Sequence, residues 1–164
     1  MRVNKKKFIY LISPNKIYKK FFKDLKIALE TRKISIFQLR LKKYSLKHKI
    51  LIGRKIQNIC KENKVNFLIN DDPILAKRLG ADGCHLGQKD MNIKEARKII
   101  GKKIIGITCH NSISLAKKAI KAKASYLAFG AFYSSKTKKT NHVADIKILN
   151  KIKKITKTPI VAIG

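Results

Sequence analysis

The 164-residue chain reads as an α/β protein with a parallel sheet. Short apolar runs rich in Ile, Leu, Phe and Tyr alternate strictly with longer stretches of helical period. The G-x-G-x-x-G fingerprint and the Walker loop, which mark open nucleotide-binding sheets, are both absent. Seven strand-like segments follow one another at short spacing, which favours a closed barrel over an open doubly wound sheet. The expected architecture is therefore a (β/α)8 TIM barrel in a single domain over residues 1–164. It is expected to be incomplete, with about seven strands and six helices. The chain reaches Gly164 as its seventh strand ends, so the C-terminal βα end should be lacking.

Each element has a local reason. Residues 8–12 (FIYLI) form a compact apolar run, and residues 18–31 follow with helical period. Residues 34–41 alternate as a strand, and residues 45–63 return to the helical pattern. Residues 66–70 make a strand that gives way at Asp71-Asp72-Pro73 to a helix over 73–79. A capping acid followed by proline suits a first turn. Gly80 follows the last periodic residue, where a left-handed terminator is common. The strand at 83–86 precedes a helix at 93–100, which Gly101 ends. The strand at 104–108 precedes Asn111 and Ser112, which open a helix over 112–121. A strand at 126–129, a helix at 145–155 and a strand at 159–163 complete the series.

Composition excludes several classes. No stretch approaches the roughly 18 consecutive apolar residues of a membrane span. The basic start (Arg2, Lys5, Lys6, Lys7) precedes an apolar run too short for a signal-peptide core, so a cytoplasmic protein is expected. The cysteines, Cys60, Cys84 and Cys109, form no C-x-x-C pair, which argues against a disulfide framework and a structural zinc site. Forty Lys and Arg against nine Asp and Glu give a formal charge of +31, a surface that attracts phosphate in any form. The lysines are scattered over helix faces (Lys19, Lys20, Lys23, Lys26; Lys117, Lys118, Lys121, Lys123). They are not interleaved with aromatics, so no dedicated nucleic-acid surface is read from them.

Five blocks carry candidate chemistry. In the strand at 34–41, alternation sets Gln38 and Arg40, with Lys42 just beyond, on the face opposite Phe37, Leu39 and Leu41. In a barrel the apolar set faces the helices. The polar set then points inward, near the strand ends where active sites lie, as a clamp for a phosphate or diphosphate. Asn70 and Asp71 end the next strand, while Asp72 can serve as a helix cap. A glycine turn after His85 presents Gln88 and Asp90. Asp71 and Asp90, at the ends of adjacent strands and facing a basic clamp, suit Mg2+ bridging to phosphate oxygens. Thr108 ends the fifth strand with a hydroxyl that could donate to phosphate. The segment from Phe129 to Lys139, with Ser135, Thr137 and Lys138, reads as a phosphate-binding loop. Cys84-His85 and Cys109-His110 cannot each converge on one point, because adjacent strand residues face opposite ways. Cys60 reads as a small apolar residue on a helix.

Taken together, the ordered set Gln38-x-Arg40-x-Lys42, Ile69-Asn70-Asp71, Gly80-Ala81-Asp82-Gly83, His85-Leu86-Gly87-Gln88-x-Asp90, Gly106-x-Thr108-x-His110 and Thr137-Lys138 resembles the thiamine phosphate synthase family. The resemblance implies a barrel enzyme of thiamine biosynthesis. It would be a transferase that joins hydroxymethylpyrimidine diphosphate to hydroxyethylthiazole phosphate with Mg2+, releasing pyrophosphate. By motif, Gln38, Arg40, Lys42 and Asn70 would hold the pyrimidine diphosphate, and Asp71 and Asp90 the metal. Thr108 stands where the family usually has a serine at the diphosphate. Ser135 and Thr137 would touch the thiazole phosphate, Lys138 the diphosphate, and Gly164 would belong to the substrate site. Arg40, Lys42 and Lys138 would be the catalytic cations that neutralise the leaving charge. Asp72 and Ser134-Ser135 depart from the usual Arg and Pro-Thr. The expected partners are small phosphorylated substrates, with no specific nucleic acid and no membrane; a homo-oligomer is compatible. The alternatives are a thiazole tautomerase-like or inactive phosphate-binding paralogue, and a basic nucleic-acid-binding protein.

Overall fold

The computed structural model describes residues 8–133 and 143–164. Its strands are β1 (Ile9–Ile12), β2 (Ile34–Leu39), β3 (Asn66–Asn70), β4 (Gly83–Leu86), β5 (Ile104–His110), β6 (Tyr126–Gly130) and β7 (Ile160–Ile163). The helices between them are α1 (Phe21–Glu30), α2 (Leu46–Glu62), α3 (Pro73–Leu79), α4 (Ile93–Ile100), α5 (Ile113–Lys121) and α6 (Lys147–Ile155). The seven strands pair in parallel in strict chain order, from β1 to β7. Each helix returns the chain to begin the next strand beside the last, giving the curved, nearly closed βα-barrel architecture.

Two apolar layers follow from the alternation of side chains. Phe37, Leu39, Phe67, Ile69, Cys84, Leu86, Ile105, Ile107, Leu127 and Phe129 face outward. They pack with helix residues such as Leu25, Leu29, Ile56, Ala76, Ala96, Ala116 and Ile152. The opposite faces of the same strands form an inner cluster of Leu68, Tyr126 and Ala128, with Tyr10, Ile36, Val161 and Ile163 against it. Cys84 and His85 accordingly lie on opposite faces: Cys84 is in the outer core, and the His85 ring meets Tyr10 and Tyr126 inside. Cys60 is buried on α2.

Helix starts carry the caps that the local residues offer. Ser45, Asp72, Asn92 and Ser112 each accept a backbone N–H three residues on. Asp72 is thus occupied as the cap of α3, its Oδ1 2.8 Å from the Leu75 nitrogen. Gly80 ends α3 in the left-handed conformation, φ +68°.

Several boundaries differ from the sequence reading, three of them for a visible reason. β2 stops at Leu39 because the Arg40 N–H is taken by the Ser13 hydroxyl, 2.8 Å away, instead of a neighbouring strand. Arg40 and Lys42 therefore extend from the connection above the strand. β5 runs on to His110, with an irregularity between Thr108 and His110 where it pairs with β6. α1 begins at Phe21, because Tyr18 to Lys20 form a turn closed by the Phe21 N–H on the Tyr18 carbonyl. No helix among the described residues is long and apolar enough to cross a membrane.

Candidate active site

The C-terminal ends of β2, β3 and β4 bring opposite charges together. Lys42 Nζ lies 2.9 Å from Asp71 Oδ2. Among the described lysines and arginines, Lys42 alone forms a salt bridge, although cations outnumber acids by 40 to 9 in the chain. Asp71 follows β3 with a left-handed backbone, φ +65°, a conformation in which Asp and Asn are enriched among non-glycine residues. Its N–H donates to the His85 carbonyl at 2.8 Å, tying the turn to β4.

Asp90 comes from the turn after β4. Its Oδ2 accepts the Gly87 N–H at 2.7 Å, and its carboxyl is within hydrogen-bonding reach of Asp71. The two acids titrate in opposite directions. Burial alone would push Asp71 up, but the hydrogen-bonded Lys42 ammonium and the contact with Asp90 hold it below the usual carboxylate range. Burial and the neighbouring Asp71 push Asp90 up, against the Gly87 N–H and the Lys42 charge. Asp90 is therefore the member that keeps a proton longer. A like-charged pair of carboxyls is relieved by a cation. One oxygen of each carboxyl is engaged elsewhere, Asp71 Oδ2 by Lys42 and Asp90 Oδ2 by the Gly87 N–H. Among the described residues no group of three or more His, Cys, Asp or Glu side chains could hold a metal.

The cationic side of the mouth is held by residues of the first connection. Arg40 Nη1 donates to Asn15 Oδ1 at 2.7 Å, while Ser13 ties the ends of β1 and β2 together through the Gln38 carbonyl and the Arg40 N–H. Asn15 and Ser13 were absent from the sequence reading. Their only signal was the position of the Ser13-Pro14-Asn15 turn directly after β1.

Gln38 lies deeper, only 2% exposed, where its Nε2 donates to the Tyr10 hydroxyl at 3.0 Å. Across the interior, Thr108 Oγ1 is 2.8 Å from His85 Nε2, and the Gln88 amide donates to the Thr108 carbonyl. Asn70 ends β3 half-buried, in register with His85. Gly164 stands against the backbone of Phe132 and Tyr133, where an added Cβ would collide with both nitrogens. Ser135, Thr137 and Lys138 lie outside the described residues. A hollow of about 380 Å³ opens beside the mouth, lined by Lys42, Lys49, Asn70, Asp71 and Asp72 among others.

A parallel barrel with its charged groups gathered at the C-terminal rim is the architecture of a βα-barrel enzyme. The family model for thiamine monophosphate synthase matches residues 9–164. A thiamine-phosphate synthase from Pelagibacter ubique is 62% identical over 167 residues, which cover all of this chain and 81% of that protein. One from Erythrobacter litoralis is 40% identical, over 95% of this chain and 76% of its own length. The solved thiamine phosphate pyrophosphorylase from Pyrococcus furiosus superimposes with a TM-score of 0.84 at 30% identity. The match covers 97% of this chain and 75% of that one. The chain belongs to the thiamine monophosphate synthase family. A truncated 3-deoxy-D-arabino-heptulosonate 7-phosphate synthase from Thermotoga maritima, with a TM-score of 0.62 at 13% identity, shares the fold.

Proposed function

We propose that this chain catalyses the thiamine phosphate synthase reaction: hydroxymethylpyrimidine diphosphate and hydroxyethylthiazole phosphate give thiamine phosphate and pyrophosphate. Residues 1–164 are read as a single barrel domain carrying it. The observation that carries the reading is the Lys42–Asp71 pair at 2.9 Å with Asp90 against it, at the mouth of a barrel of this family.

The chemistry needs a departing diphosphate, a carbon electrophile and a nearby nitrogen. The methylene C–O bond breaks and its electron pair leaves with the diphosphate. The thiazole nitrogen lone pair then forms the new C–N bond. That nitrogen has no proton to lose, so no general base is required. The enzyme's task is to neutralise the leaving charge and hold the two partners close. In this reading Arg40, Lys42 and Lys138 bind the diphosphate oxygens, Gln38 and Asn70 hold the pyrimidine, and Thr108 donates to the diphosphate. Ser135 and Thr137 would take the thiazole phosphate, with Gly164 beside it. Asp71 and Asp90 would hold Mg2+, which when bound supplies positive charge to the leaving group. Lys42 then acts twice, holding Asp71 ionised and facing the anion. The work is read as cytoplasmic, on small phosphorylated substrates.

The test is direct. The purified chain is incubated with both precursors and Mg2+, and thiamine phosphate and pyrophosphate are assayed. Stoichiometric formation of both products, lost in Lys42→Ala, is expected. Absence of product with the folded chain, or rearrangement of a thiazole phosphate without condensation, would overturn the reading.

A further inference from the structure

The interior of the barrel contains an unbroken file of polar side chains. Gln38 Nε2 donates to Tyr10 OH at 3.0 Å, and Tyr10 OH is 2.8 Å from Tyr126 OH. Tyr126 OH is 2.8 Å from His85 Nδ1, and His85 Nε2 is 2.8 Å from Thr108 Oγ1. The file crosses from β2 to β5 through residues of β1, β6 and β4. Gln38, Tyr126 and His85 are all less than a tenth exposed. Leu68 and Ala128 are buried beside Tyr126, and Tyr10, Val161 and Ile163 pack against them. Apolar packing would fill such a space at no desolvation cost, so a buried polar file calls for a purpose at its ends.

The order of donation can be followed atom by atom. The Gln38 amide nitrogen donates, so the Tyr10 oxygen accepts and its own proton goes on to Tyr126. The Tyr126 proton then goes to His85 Nδ1. A neutral imidazole that accepts at Nδ1 carries its proton at Nε2, where it donates to Thr108 Oγ1. Thr108 has then accepted from inside, and its hydroxyl proton turns outward. In the reverse order Tyr10 would accept from both Gln38 and Tyr126, and its own proton would lack both of these acceptors.

We propose that Tyr10, Tyr126 and His85 are positioning residues that fix one hydrogen-bond direction and so aim the Thr108 hydroxyl proton at an anionic ligand oxygen. This rests on the reading of Thr108 as a diphosphate contact. The stacking of His85 on Tyr126, with centroids 5.7 Å apart and 17° between planes, holds the ring in the required orientation. The file also couples the two sides of the mouth, since Gln38 lies two residues before Arg40 on the opposite wall.

The experiment combines a spectroscopic and a kinetic readout. In protein labelled with 15N-histidine, His85 is expected as the Nε2–H tautomer, and Tyr126→Phe should convert it to a mixture. The same variant should raise KM for the pyrimidine diphosphate about fivefold, the worth of one neutral hydrogen bond, and leave KM for the thiazole phosphate unchanged. Thr108→Ala should abolish the effect, so that Thr108→Ala/Tyr126→Phe is no worse than Thr108→Ala alone, while Thr108→Ser retains it. If Tyr126→Phe does not fold, Tyr10→Phe interrupts the file one link earlier and should act in the same direction. An Nδ1–H tautomer in the unaltered protein, or fully additive effects of the two substitutions, would overturn the proposal. A chain that turns over nothing would refute the synthase reading alone, because the tautomer is read without substrate.

Discussion

The ring of Tyr126 occupies the space that a side chain on residue 106 would fill. A Cβ at Gly106 would overlap the Tyr126 ring and hydroxyl. Gly106 and Tyr126 are paired in register on β5 and β6, so neither backbone can move aside independently. The missing side chain on one strand thus admits the largest inward side chain of the next.

Gly106→Ala should therefore destabilise the fold by about 2 kcal/mol, the usual scale of overpacking in a dense core. It should also displace the Tyr126 hydroxyl from its partners Tyr10 and His85. Urea unfolding measures the first effect and the His85 tautomer the second. Full stability in the variant would contradict the close approach.

Asn15→Ala removes the acceptor that steadies the Arg40 guanidinium at 2.7 Å. Both side chains are at the surface of the mouth, so unfolding should be unaffected. KM for the diphosphate substrate should rise about threefold, as an Arg40 fork with one tether fewer samples more orientations. Titration with inorganic pyrophosphate would show the same weakening without turnover.

Asp71→Asn keeps a residue suited to φ +65° and should fold normally, yet it removes the charge facing Lys42. Activity should fall on the order of 100-fold or more, with a higher Mg2+ concentration needed for half-maximal rate. Asp90→Asn should show the same metal dependence. Unchanged metal dependence in both variants would remove the two acids from that role.

The buried thiols set an alkaline limit. Burial pushes Cys60, Cys84 and Cys109 each up to about 12. A folded-state value above the unfolded one contributes stability that is complete below the unfolded value of 9.0 and is lost as pH rises towards 12. Tyr10 and Tyr126, also raised chiefly by burial, act in the same direction at still higher pH. The urea midpoint should be level from pH 7 to 8 and decline from pH 9 upward, by about 1 kcal/mol per thiol at pH 10. Slow alkylation of all three cysteines in the native state should accompany it. A midpoint that rises across this window would refute the burial argument.

How much could be read from the sequence depended on whether a residue's role was set by its own neighbours. β3, β4, α3 and α4 fall on the expected residues, because apolar runs, a proline-led helix start and two terminating glycines bound them locally. The inward position of Gln38 and the outward positions of Phe37 and Leu39 followed from alternation alone. The end of β2 did not, because it depends on a hydroxyl from Ser13, which is distant in sequence. Tyr10 and Tyr126 read as ordinary strand aromatics, since their polar ends acquire meaning only when β1 and β6 face one interior. Asn15 was invisible for the same reason: its partner Arg40 is 25 residues away.

The sheet also bears on how the molecule comes into being. Each strand from β2 to β6 hydrogen-bonds to the one made just before it and the one made just after. Among the described strands no rung joins segments that are not neighbours in chain order, so a chain leaving the ribosome can lay down these pairings unit by unit as it emerges. An arrest that exposed only the first three strands should already display protected amides along β2.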